Sequence, residues 1–378
     1  MMHPHLEMRS KALEPFKLRK LEDEKDGAAK YDIPFIINSK SYQDLKIRVK
    51  KAIPYPFATW DWHLKAWAIF GSAVFLEFHS LWFGPSYLKS LVLGVIMAMI
   101  GLCIQHDANH GAISSSGWVN RLWGYTQDWI GGSALLWQHH HVLMHHAYTN
   151  IDQDDPDITG DLIRFQQLTK WQGRHKWQAI YTWFLLPLLG LKWHFVEILD
   201  LSQMIHLGRP MSKMAAGEAR LALWFRAFFI LRFYLLPLCV RPSLHTLSCY
   251  ILTSCAGSFY LGINFIISHN FEGVRNVLES PDRKAHVKRD WASDQVETSC
   301  TVGGRILGFF HGGLNFQIEH HLFPRISHVH YPKLAVVVRQ WCSDNKICYR
   351  HFQSFVDNLQ STYKHLELMG RAEKIHTG

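Results

Sequence analysis

The sequence predicts an all-α integral membrane protein with four transmembrane helices in two hairpins, interfacial helices and a cytosolic histidine-rich cap. Three observations predict it. Apolar stretches of near-spanning length come in pairs joined by tight turns, the segments around them are polar and basic, and 25 histidines, as many as the glycines, include clusters beside the stretches. The 378 residues are 48% hydrophobic, yet the mean hydropathy is only −0.07. Apolar blocks alternating with polar ones give such a mean. The apolar share excludes a disordered chain, and the length suits one large domain or two small ones.

Residues 1–55 form a polar cytosolic N-terminal segment. Its basic runs (Lys17, Arg19, Lys20; Arg48, Lys50, Lys51) mix with Glu22, Asp23 and Glu24, and it holds no apolar run fit for a secretory signal. Stretches 66–83 and 87–104 follow, joined by Gly84-Pro85-Ser86; 221–240 and 244–267 are joined by Arg241-Pro242-Ser243. Several approach or reach the roughly 20 residues that a hydrocarbon core of about 30 Å demands. A further stretch, 179–198, carries Lys192, His194, Glu197 and Asp200 at or just past its end. It reads as an interfacial helix with its polar face on headgroups, because a crossing here would put residues 141 and 320 on opposite sides. Arg226 and Arg232 must snorkel or face a protein-lined cavity, since charge is costly in hydrocarbon.

Basic residues crowd the large polar regions and are sparse in the short turns, which places those regions in the cytosol. The net charge of +9 suits anionic headgroups, and no nucleic-acid reading motif is present. Seven scattered cysteines without a C-x-x-C pair read as reduced thiols. The expected organisation is residues 1–55, a main domain at 56–355, and a C-terminal cytosolic tail at 356–378.

Three histidine clusters stand at places set by this topology. His106 and His110 follow the second span at the i, i+4 spacing that puts two imidazoles on one helix face. His141, His145 and His146 repeat that relation, whereas His139 and His140 point elsewhere and are left out of the ligand set. The third cluster is Gln317, His320 and His321, with His269 at the end of the last span at a depth matching His106. Eight imidazoles exceed the four or so that one zinc ion takes, so two ions with four or five ligands each fit the count. Imidazole suits iron, zinc, copper or nickel, and the lack of thiolate partners argues against structural zinc or an iron–sulfur cluster. Asp107, Asn109, Asp155, Asp157 and Glu319 lie beside the clusters, and Asn264 precedes His269. These six are candidate acceptors that fix imidazole tautomers.

The order H-x-x-x-H, H-x-x-x-H-H and Q-x-x-H-H resembles the histidine boxes of the membrane fatty acid desaturases over about residues 55–355. Gln317 with Leu322-Phe323-Pro324, the segment from Tyr148-Thr149-Asn150 to Asp155-Pro156-Asp157, and His328-Val329-His330-Tyr331-Pro332 resemble the front-end branch. That branch introduces delta-4, delta-5, delta-6 or delta-8 bonds, and a delta-5 or delta-6 activity is the expectation here. The resemblance implies a di-iron, dioxygen-dependent desaturase acting on acyl-CoA or acyl-lipid at a bilayer. It implies the endoplasmic reticulum, with a bacterial or plastid membrane as the alternative. His3-Pro4-His5 departs from the His-Pro-Gly-Gly of a fused cytochrome b5 domain. Electrons are therefore expected in trans from cytochrome b5 and its NADH-dependent reductase, or from ferredoxin. A dry acyl tunnel is expected along the spans around Trp224, Phe228 and Phe259.

Two other readings exist. A lipid or carotenoid hydroxylase of the same superfamily would add oxygen instead of removing two hydrogens. A histidine-rich metal transporter would place its ligands near the bilayer midplane, whereas these clusters flank the spans.

Overall fold

The computed structural model describes residues 35–37, 39–151, 154–275 and 289–371. The charged runs before residue 35, His3-Pro4-His5 and the last seven residues lie outside the described residues.

Helix α1 (Lys40–Ala52) is capped by the Ser39 hydroxyl, which accepts from the Tyr42 amide, and buries Tyr42, Leu45 and Val49 along one stripe. Helices α2 (Trp60–Phe83) and α3 (Tyr87–Asn109) are long and apolar enough to cross a membrane. The short α4 (Gly117–Gly124) and α5 (Ala134–Trp137) follow, and α5 runs on into a π-helical segment, Gln138–His145. Next come α6 (Gln178–Leu185), α7 (Leu189–Phe195) and α8 (Glu197–Gln203). The second pair of spans is α9 (Ala216–Val240) and α10 (Leu244–His269). The order closes with α11 (Trp291–Glu297), α12 (Gln317–Leu322), α13 (Tyr331–Asp344) and α14 (Phe355–Met369).

The two hairpin turns meet at one end of the bundle, where Arg241 donates to the Trp82 carbonyl at 2.7 Å and His245 lies 3.3 Å from the Pro85 carbonyl. Small residues let α3 and α10 approach closely. A Cβ on Gly94 would sit 2.5 Å from the Thr253 carbonyl oxygen, and one on Gly257 would sit 2.9 Å from the Gly94 oxygen. At the opposite end, α1 and α11–α13 share a core of Tyr42, Leu45, Trp291, Leu334 and Trp341. The cap is tied to the bundle by Asn358, which donates to the Ile267 carbonyl at 3.1 Å. Helices α1 and α14 pack into this body, so folded structure extends beyond 56–355 on both sides.

The 179–198 stretch is not among the helices long and apolar enough to cross, and part of its polar face, His194 and Glu197, turns into the bundle while Lys192 stays exposed. Pro187 interrupts it within a 3₁₀ turn, Leu186–Leu188. Ala179 packs with Ile266 and Ile267 near the histidine end of α10, while the Gly190 amide donates to Ser258 at 2.9 Å, further down that span. The chain then meets Arg226 on α9 and rises again, Leu201 packing on Ala219. It dips into the bundle and returns. His194 and Glu197 are consequently buried, with His194 Nδ1 2.9 Å from the Tyr234 hydroxyl and Glu197 accepting from Arg226 at 3.1 Å. Arg226 and Arg232 face protein rather than lipid. Arg232 pairs with Glu77 of α2, donates to the Trp129 carbonyl at 2.6 Å and stacks over the Trp129 ring.

Candidate metal centre

Span α3 delivers His106 and His110, α10 delivers His269, α12 delivers Gln317, His320 and His321, and the π segment after α5 delivers His141, His145 and His146. All nine side chains are buried. The π winding matters locally. With i→i+5 hydrogen bonds it sets residues five apart on one line, and His146 Nε2 lies 3.1 Å from His141 Nε2.

The imidazoles fall into two sets. His106, His110, His141 and His320 bring one ring nitrogen each within 4.8 Å of the others, as do His145, His269 and His321. His146 lies between them, its ring centroid 4.7 Å from His110, 4.6 Å from His320 and 4.3 Å from His321. Gln317 closes the second set, its Nε2 3.0 Å from His269 Nε2 and 3.3 Å from His321 Nε2.

Partners at Nδ1 orient the rings. His145 Nδ1 donates to Asp155 at 3.0 Å, His269 Nδ1 to the Thr298 carbonyl at 3.0 Å, and His321 Nδ1 to Gln295 Oε1 at 2.8 Å. His320 Nδ1 pairs with the Tyr331 hydroxyl at 3.1 Å. Each arrangement leaves Nε2 for the interior of the site. Gln295, Thr298 and Tyr331 stand in polar stretches near the third cluster, but nothing in their spacing assigns them to particular rings. Asp157 bridges His145 at 3.2 Å and His140 at 2.5 Å, which ties down one of the two histidines set aside as non-ligands.

Other candidate acceptors point elsewhere. Asp107 accepts from the Ser327 hydroxyl at 2.7 Å and from His328 Nδ1 at 2.9 Å, so it orients His328 rather than its neighbour His106. Asn109 bonds Gln105 and Gln138, and Asn264 donates to the Tyr260 carbonyl one turn back. Glu319 accepts from Thr301 at 2.9 Å and from Tyr349 at 2.7 Å, a contact that pins α12 from its far side.

Burial, reinforced by neighbouring imidazoles, holds His141, His146 and His320 well below the usual imidazole range, so they are neutral. Burial opposes charge at His145 too, but Asp155 and Asp157 outweigh it and carry that ring up to about 9. Metal binding would displace its Nε2 proton.

Two cavities flank the first set. A cleft of about 500 Å³ reaches His110 on one side. On the other, a cavity of about 100 Å³ is lined by Trp137, His141, Trp193, Leu261 and Phe265. It shares Trp193 and Leu261 with a deeper cavity between α3 and α10. The expected tunnel walls are elsewhere: Trp224, Phe228 and Phe259 are 75%, 49% and 39% exposed and face outward. Helix α7 and the end of α10 supply the aromatic lining instead.

The site suits metal ions. His106 Nε2 and His320 Nε2 are buried without a hydrogen-bond partner among the described residues, as is Gln317 Oε1. Such atoms are costly unless a ligand satisfies them. The Gln317 amide meets two Nε2 lone pairs where a cation would stand, and a half-turn of it presents Oε1 to the same point. The donors of the two sets are imidazole nitrogens and one amide, Asp157 brings a carboxylate within reach of His141 and His145, and no cysteine joins these groups among the described residues.

Fold and site together define a class: a four-span membrane protein around a buried polyhistidine centre compatible with metal. The chain belongs to the fatty acid desaturase family, whose model matches residues 80–353, and is thus an oxidoreductase acting on lipid acyl chains within a membrane. It is 42% identical to an acyl-lipid (7-3)-desaturase of Rebecca salina over 88% of this chain and 75% of that one. A second acyl-lipid (7-3)-desaturase, of Diacronema lutheri, is 41% identical over 83% of this chain and 70% of its own length. An sn-1 linoleoyl-lipid 6-desaturase of Arthrospira platensis is 32% identical over 82% of this chain and 83% of its own.

Proposed function

We propose that this protein is a di-iron acyl-lipid desaturase that forms a cis double bond near the carboxyl end of a long acyl chain. The observation that carries the reading is the pair of imidazole sets meeting at His146. His106, His110, His141 and His320 would hold one iron; His145, His269, His321 and Gln317 would hold the other; and His146 serves the space between. Bound iron supplies the oxidising power, drawn from dioxygen, that an unactivated methylene demands because it offers no acidic proton. The balance is one dioxygen, two electrons, two protons and a –CH2–CH2– unit in, and one –CH=CH– unit and two waters out.

The protein's own residues arrange this chemistry. Asp155, Thr298, Gln295 and Tyr331 hold the rings with Nε2 inward. Trp137, Trp193, Leu261 and Phe265 form the apolar wall of the cavity beside His141, whose other lining, Gln105, Asp157 and Glu197 among it, is polar. Neutral imidazoles leave the iron pair more positively charged than carboxylate ligands would.

Gln317 and Leu322-Phe323-Pro324 support a front-end position, and the (7-3) activity named for two relatives is placed ahead of delta-5 or delta-6. Cytochrome b5 with its NADH-dependent reductase, or ferredoxin, is the proposed donor. The net charge of +9 suits an acidic redox partner on a cytosol-facing surface of the endoplasmic reticulum. Expression in yeast fed polyunsaturated fatty acids, with mass-spectrometric location of the new bond, tests the reading. A product that gains oxygen and keeps both hydrogens would show hydroxylation instead, and a purified protein holding zinc but no iron would end the di-iron assignment.

A further inference from the structure

Resting on the desaturase reading, we propose that the cleft beside His110 seats a phosphate ester of the acyl carrier, held by Arg325.

The cleft, about 500 Å³, is walled by the end of α3, by α4 and by the start of α9, with His110 in its lining. Its charged groups are Arg121, Arg325, Glu218 and Asp128. Glu218 is taken up by Arg121, which also bonds the Tyr125 hydroxyl at 2.5 Å. Asp128 accepts from the Ala134 amide at 3.2 Å, and burial pushes its carboxyl up to about 7. Arg325 is half-buried in the lining and makes no ion pair or hydrogen bond with any described residue, so its guanidinium can exchange water for an anion. Its guanidinium lies against Gly111, the residue after His110. Gly111 has φ of 72°, and a Cβ there would come within 3.6 Å of Arg325 Nε. A planar guanidinium fork matches phosphate oxygens in pairs.

The ligand follows from the chemistry. An acyl group carried as an ester or thioester has no charged carboxylate, so the anion nearest its carboxyl end is a phosphate of the carrier. Front-end desaturation also requires that end to lie within a few bonds of the metals. The cleft on the His110 side and the tail cavity on the His141 side meet that requirement, since the two rings are 5.2 Å apart by centroid. The mouth lies at lipid headgroup level, because α4 turns Trp118 and Leu122 outward, 70% and 61% exposed, while Asn120 and Gly124 are buried. A glycerophospholipid therefore reaches the cleft laterally.

The test compares full-length wild type, Arg325→Gln and Arg325→Lys in membranes. The same acyl group is offered on phosphatidylcholine, on coenzyme A and on a phosphate-free galactolipid. Arg325→Gln is expected to lower the kcat/KM preference for phosphatidylcholine over galactolipid about tenfold through KM, with iron content retained, and Arg325→Lys to lower it less. A loss confined to coenzyme A supports the phosphate seat and gives it to the soluble carrier. Equal losses on all three carriers, or no loss, overturn the proposal. Wild type that desaturates none of the three overturns the desaturase reading itself.

Discussion

Gly94 on α3 and Gly257 on α10 meet backbone to backbone, and each stands twelve residues before a histidine of the buried centre, His106 and His269 respectively. Both helices run from this contact towards the histidine end, α10 as a continuous α-helix and α3 through a π-helical stretch, Gly101–Gln105, just before His106. Replacing Gly257 with alanine puts a methyl 2.9 Å from the Gly94 oxygen and is expected to cost about 1–3 kcal/mol. Thermal unfolding in detergent, read beside iron stoichiometry, should show both falling; an unshifted melting temperature would refute the contact.

Single alanine substitutions at His141 and His145 should each abolish iron binding at one position or both, whereas His139→Ala should keep it. His139 belongs to neither set and packs beside His206. Elemental analysis of purified variants distinguishes them, and iron loss in the His139 variant would enlarge the ligand set.

Partners at Nδ1 should matter nearly as much as ligands. Tyr331→Phe removes the hydroxyl 3.1 Å from His320 Nδ1, and Asp155→Asn weakens the hold on His145. Each is expected to reduce iron affinity about 10–100-fold. Competition against a chelator measures this directly.

The Glu77 and Arg232 pair lies between spans, where an unpaired charge is costly. Glu77→Ala should destabilise by about 3–5 kcal/mol, and combining it with Arg232→Leu should recover much of the loss. A double-mutant cycle on thermal stability reads the coupling, and additive losses would argue against a functional ion pair.

In the cap, burial lowers His365 to about 4 despite its bond to the Phe165 carbonyl at 2.9 Å. The unfolded chain, with histidine near 6.5, binds the extra proton first as pH falls. The contribution of this group is thus intact above about 6.5 and is lost progressively towards 4, at no more than about 1.4 kcal/mol per pH unit. His365→Gln should flatten the stability profile across that window, and an unchanged slope would exclude His365 as its source.

The four spans, their pairing and the nine candidate ligands are legible in the sequence because length, turn residues and helical spacing are local properties. What joins distant segments is not. The Thr298 carbonyl that holds His269, and the turn of Asp107 towards His328, depend on how α10 meets the end of α11 and how the end of α3 meets the segment before α13. The 179–198 stretch misleads for a related reason. Its polar residues look like a headgroup face until Arg226 and Tyr234, on another helix, are seen to receive Glu197 and His194. Trp224 and Phe228 look like tunnel walls by composition, yet composition does not say which side of α9 meets lipid.

The π winding over Gln138–His145 bears on how such sites tolerate insertions. One extra residue in an α-helix would swing everything beyond it about 100° around the axis. Wound as π, the same residue is absorbed, and His146 lands opposite His141 where an α-helix would need a spacing one shorter. A second box with two residues between its first two histidines and one with three can therefore serve the same metal geometry. Constancy lies in space rather than in count.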